Sequence, residues 1–123
     1  MGRPAGVAVD PHGNLYLADV SFNRVVEYQA PLSTAIAASH VFGHPDLTQN
    51  TANNGGVGAN SLDGPFGLAV DTLGNLYVGD TSNHRVLKYD VPIARGLAAL
   101  TVLGPSRVAA RPHRLQRRLV HQR

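Results

Sequence analysis

The chain contains no cysteine, no tryptophan and a single methionine. Without cysteine there are no disulfides and no thiolate metal sites, and composition carries no mark of the redox compartment. Charge is sparse too: Asp, Glu, Lys and Arg make up 15% of the residues, against about a quarter in an ordinary soluble domain. No uninterrupted apolar run approaches the roughly 18 residues of a helical membrane span, so no membrane partner is expected. Met1-Gly-Arg-Pro4 leads directly into patterned sequence, with no apolar signal-peptide region before it. There is no Gly-x-Ser-x-Gly, no P-loop and no His-Glu-x-x-His, which removes common hydrolase, nucleotide-binding and zinc-protease signatures.

Acid is also missing from one end. Residues 105–123 hold six arginines and no Asp or Glu, whereas residues 1–104 hold five basic and eight acidic residues. The body is therefore at −3, and the overall +3 belongs to the tail. An acidic body is a poor electrostatic partner for phosphate backbones, so no nucleic-acid partner is expected.

What is present is said twice, 61 residues apart. Laying residues 4–28 on 65–89 gives 14 identities in 25 positions. Pro4-Ala-Gly-Val-Ala-Val-Asp10 returns as Pro65-Phe-Gly-Leu-Ala-Val-Asp71, and Gly13-Asn-Leu-Tyr16 as Gly74-Asn-Leu-Tyr77. Asp19, Arg24-Val25 and Tyr28 return as Asp80, Arg85-Val86 and Tyr89. Such self-similarity is the signature of a repeat architecture.

Each copy reads as short strands joined by tight turns. Gly6-Val-Ala-Val-Asp10 is small and β-branched, the pattern of a strand covered on both faces. Asp10-Pro-His-Gly-Asn14 and Asp71-Thr-Leu-Gly-Asn75 are turns: Asp bonds nearby backbone, Gly supplies positive φ and Asn tolerates it. Leu15–Asp19 and Leu76–Asp80 form returning strands. Arg24–Tyr28 and Arg85–Tyr89 form third strands, with the alternation expected near a sheet rim, where the tyrosine hydroxyls would lie. His40-Val-Phe42 and Thr101-Val-Leu103 are candidate outer strands.

Four antiparallel strands per repeat make a propeller blade, so the predicted fold class is all-β: four-stranded blades in an incomplete ring of two. The motifs resemble the NHL repeat, most closely in Gly74-Asn-Leu-Tyr-Val-Gly-Asp-Thr-Ser-Asn-His-Arg-Val86. The first copy departs at Phe22-Asn23, where the second has Asn83-His84. This division predicts a first blade over 1–43, an Asn/Gly-rich inter-blade loop over 44–61, a second blade over 62–104 and an Arg-rich tail over 105–123. The loop is expected to be flexible decoration. The tail, dominated by Arg, Pro, His, Gln and Ala, is expected to be disordered or the product of a shifted reading frame.

The resemblance implies rings of about six blades, within the usual range for propellers. Two blades are therefore read either as a piece of a larger propeller or as a half-module that self-associates to complete a ring; three copies would supply six blades.

The recurrent polar residues are read as structural. Asp10, Asp19, Asp71 and Asp80 sit at strand ends, where a carboxylate holds turn amides. Gly13, Asn14, Gly74 and Asn75 complete those turns. Arg24 and Arg85 are expected to pair with a carboxylate such as Asp19 or Asp80, with anion binding as the other reading. His12, His40, His44, His84, His113 and His121 lack ligand spacing, so no metal, cofactor or catalytic residue is assigned.

The expected function is a noncatalytic interaction scaffold binding a protein, peptide or glycan. The resemblance leaves two alternatives: a fragment of a lyase- or lactonase-type propeller enzyme, and an RNA binder using a basic face or tail. The family resemblance also implies export to the periplasm or beyond, although no signal is visible.

Overall fold

Turn chemistry at fixed offsets folds each copy into its own antiparallel sheet. The computed structural model of the protein describes residues 2–44, 47–90, 99 and 101–104. The first copy forms β1 (Pro4–Val9), β2 (Leu15–Asp19), β3 (Arg24–Tyr28) and β4 (His40–Phe42), hydrogen-bonded side by side in chain order. The second repeats this with β5 (Pro65–Val70), β6 (Leu76–Asp80), β7 (Arg85–Tyr89) and β8 (Thr101–Leu103). One 3-10 turn, Thr81–Asn83, precedes β7, and no α-helix occurs among the described residues. The protein is all-β, two four-stranded antiparallel sheets of the propeller-blade type. The frame-shift reading of 105–123 lies outside the described residues.

The registers of the two sheets are superimposable. Leu17 faces Val26 as Val78 faces Leu87, and Asp19 faces Arg24 as Asp80 faces Arg85. Each inner strand carries an irregularity at the same place, between Pro4 and Val7 and between Pro65 and Leu68. Gly13 (φ 87°) and Gly74 (φ 95°) take up the left-handed conformation that closes the first turn of each blade. Asn23 and His84 both adopt φ 56° in the second turn. The exchange of residue type between the copies therefore leaves the backbone path unchanged.

Because side chains alternate across a strand, each sheet has two distinct faces. Tyr16, Ala18, Val25 and Phe42 of the first blade pack against Leu76, Val78, Leu87 and Tyr89 of the second in one buried cluster, sealed by Leu62. Burial of each such large side chain is worth about 1.5–3 kcal/mol, so this seam holds the blades together. The inner strands approach closely there: a Cβ built on Gly6 would lie 2.3 Å from the Phe66 carbonyl oxygen.

Two expectations need correcting. The first strand was expected to be covered on both faces, but Val7 and Val9 are 58% and 57% exposed, since among the described residues no sheet lies against their side of β1. The third strand of the first blade was expected to show a rim-like alternation, yet Arg24 through Glu27 are all buried. Val25 belongs to the seam, while Val26 packs with Leu17 and Val41 beneath Tyr28 and Ala38.

Candidate functional site

The recurrent polar residues gather at the two ends of the blades. At one end, Asp10 accepts from the amides of His12 (2.8 Å) and Asn14 (3.0 Å), from the Asn14 side chain (3.0 Å) and from the Tyr16 hydroxyl (3.4 Å). Asp71 accepts from the amides of Leu73 (3.0 Å) and Asn75 (2.9 Å), the Asn75 side chain (2.9 Å) and the Tyr77 hydroxyl (3.1 Å). Backbone bonds from Gly13 to Asp10 and from Gly74 to Asp71, each 3.0 Å, close the same turns. Burial pushes both carboxyls up, but the donated hydrogen bonds outweigh it and hold each below the ordinary aspartate value.

At the other end, Asp19 and Asp80 are fully buried. Asp19 accepts from the amides of Gly2 and Arg3, and Asp80 from the amide of Asp63 at 2.8 Å. Each is also paired with the arginine that follows the turn. Arg85 Nε donates to Asp80 at 2.8 Å, whereas Arg24 Nε lies 3.5 Å from Asp19.

The arginines also reach beyond their own blades. Arg24 Nη1 donates to the Leu47 carbonyl at 2.9 Å, and Arg85 Nη2 donates to the carbonyls of Gly58 (2.7 Å) and Ser61 (2.8 Å). Equivalent arginines thus hold opposite ends of the segment between the blades. Asn53 and Asn83 exchange side-chain hydrogen bonds at 2.8 and 3.1 Å, and Asn23 donates to Asn50 while accepting from Gly64. The segment expected to be flexible decoration is tied to both sheets, mostly through its own backbone groups.

One cluster has no counterpart in the second copy. The buried Glu27 carboxylate accepts from the Tyr16 hydroxyl at 3.3 Å and pairs with His40 Nδ1 on the neighbouring strand. Lys88 and Thr101 occupy the corresponding places in the second blade. Glu27 carries no sequence signal because its counterpart is a lysine. The burial of Tyr16 and the charges of Glu27 and Asp10 push the Tyr16 hydroxyl well above the ordinary tyrosine value. Tyr89 is shifted the same way by burial and the charge of Asp80, and its hydroxyl is buried. Among the described residues no group of three His, Cys, Asp or Glu side chains converges in a way that could hold a metal.

The family model described as the NHL repeat matches residues 1–28 and 62–89, which end with the third strand of each blade. The chain carries two NHL repeats. In each NHL repeat the paired turns, the buried acid–arginine pair and the inner three strands recur as one unit. The family model stops short of the outer strands β4 and β8 and of the arginine-held segment. No curated protein matches the chain significantly.

Proposed function

We propose that this two-blade, propeller-type chain is a noncatalytic interaction module that binds a protein, peptide or glycan at the blade end carrying residues 44–61. One observation carries the reading: the recurrent acids and arginines are engaged by the chain's own turns and by each other. A catalytic acid, base or nucleophile needs bonding capacity turned toward a substrate, and the recurrent carboxylates accept from the chain's own amides and side chains. The inter-blade segment suits recognition, being held from both sides while Leu47 and Val57 stand exposed on it. A surface ordered in advance loses less entropy when it binds.

A second reading, a hydrolytic or eliminative enzyme, draws on the Glu27–His40 pair. That pair combines a buried carboxylate with a partly exposed imidazole, a combination used for proton transfer.

One experiment separates the two readings. The full chain is applied to peptide and glycan arrays, and in parallel to lactone-hydrolysis and polysaccharide-lyase assays. Binding that falls at least about tenfold in Leu47→Asp or Val57→Asp, with circular dichroism unchanged, supports the module. Turnover that disappears in Glu27→Gln or His40→Ala overturns it.

A further inference from the structure

Among the described residues the blade pair leaves two sheet faces without a neighbouring sheet, and each repeats a face already used at the internal seam. There, Tyr16 and Val25 of the first blade meet Val78 and Leu87 of the second. A shift of 61 residues carries Tyr16 and Val25 onto Tyr77 and Val86, on the uncovered side of the second blade. The same shift carries Val78 and Leu87 back onto Leu17 and Val26, on the uncovered side of the first. Tyr28 and Ala38 cover the outer half of that first-blade face, and its inner half, Val7 and Val9, is bare. Opposite it, Val86 and Leu103 are 36% and 49% exposed.

The glycines supply a second, independent observation. Gly6 is required where the first inner strand touches the second, since its Cβ would strike the Phe66 carbonyl oxygen at 2.3 Å and the Leu68 nitrogen at 3.2 Å. Gly67 holds the equivalent place in the second blade, and a Cβ there would meet nothing within 4 Å. Its φ is not in the left-handed region, so neither turn geometry nor packing among the described residues asks for glycine. The position is shaped for the close approach of another inner strand.

We propose that the second-blade face of one copy seats on the bare inner half of the first-blade face of another copy, reproducing the internal seam between molecules. The two patches differ, so the contact is heterologous: copies add head to tail, and the assembly closes if the rotation per copy divides a full turn. Propeller rings contain about four to eight blades, which corresponds to two to four copies. The inference is independent of what the module binds.

The test is sedimentation velocity of the full chain across about 1–100 µM, with two blocked variants. Gly67→Val fills the space of the second-blade face, and Val7→Glu places a charge on the first-blade face. The wild-type chain is expected to sediment as a closed oligomer. Each variant alone is expected to associate at least about 30-fold more weakly, as when a central interface contact is lost, with circular dichroism unchanged. Mixing the two variants should restore a one-to-one heterodimer and nothing larger, because each still carries one intact patch. If Val7→Glu loses its β-sheet signal, Val9→Glu replaces it. A wild-type chain that stays monomeric throughout, Gly67→Val assembling like wild type, or a mixture without heterodimer would each overturn the proposal.

Discussion

Phe42 and Tyr89 meet edge to face across the seam between the blades, their ring centroids 5.0 Å apart and their planes inclined at 63°. Phe42 also lies 6.3 Å from Tyr16, so one ring links the outer strand of the first blade to strands of both sheets. Removing a fully buried phenylalanine costs about 3–5 kcal/mol. Phe42→Ala should therefore lower the urea midpoint strongly and unfold both blades in a single transition. Two separated transitions, with the second blade unaffected, would mean that the seam does not couple the sheets.

Arg85 and Arg24 do the same work with different strength. Arg85 combines a 2.8 Å bond to Asp80 with two bonds to carbonyls of the inter-blade segment, while Arg24 has a 3.5 Å ion pair and one such bond. Breaking a buried pair by removing one partner costs about 3–5 kcal/mol. Arg85→Ala should fall in that range and Arg24→Ala below it, as measured by chemical denaturation. Lysine should not rescue Arg85, because one ammonium cannot reproduce the forked guanidinium contacts. In Arg85→Ala, amide exchange should accelerate around Ser61, whose carbonyl loses its donor.

The aspartate turns make stability depend on acid. Burial raises the Asp10 carboxyl, but the bonds from Asn14, His12 and Tyr16 prevail and hold it below the ordinary value. A group depressed in the folded state stabilises above its unfolded pKa of about 3.9, and that contribution is lost as pH falls through the folded value. Asp10→Asn should therefore be less stable than wild type at pH 6, with the gap shrinking toward pH 2. A gap that stays constant over that range would contradict the assignment.

Glu27 and Lys88 occupy equivalent positions with opposite consequences. Glu27 is buried between Tyr16 and His40, whereas Lys88 is partly exposed, 3.5 Å from Asp90 and over the Tyr77 ring. Truncating a buried acceptor leaves its donors unsatisfied at about 1–3 kcal/mol. Glu27→Ala should show that loss in a denaturation midpoint, and Lys88→Ala should stay within about 0.5 kcal/mol of wild type. Combined with Tyr16→Phe, the Glu27 loss should be less than additive, since both changes remove the same hydrogen bond.

The strands and turns were legible because their chemistry occurs twice in register: Asp10-to-Asn14 and Asp71-to-Asn75 specify one turn, and Leu15–Asp19 and Leu76–Asp80 one returning strand. Even the outer strands His40–Phe42 and Thr101–Leu103 lie where the faint second half of the repeat places them. Features that occur once were not legible. Glu27 has a lysine as its counterpart, so repetition hid its burial instead of revealing it. The segment between the blades has the Asn, Gly and Thr of a free loop, yet the arginines grip it by carbonyls of Leu47, Gly58 and Ser61 that composition does not encode. Which face of β1 stays bare depends on the neighbouring sheet, and a strand's own sequence does not report that neighbour.

The two equivalent blades pack in one direction only, so that the same glycine is crowded in the first and open in the second. Denaturation of Gly6→Ala and Gly67→Ala, both at one low protein concentration, is the measurement that reads this asymmetry. Gly6→Ala must displace backbone at the seam and should lose about 1–3 kcal/mol or more. Gly67→Ala enters open space and should stay within about 0.5 kcal/mol of wild type, or gain slightly through a less flexible unfolded chain. Equal losses at the two positions would contradict the packing direction described here.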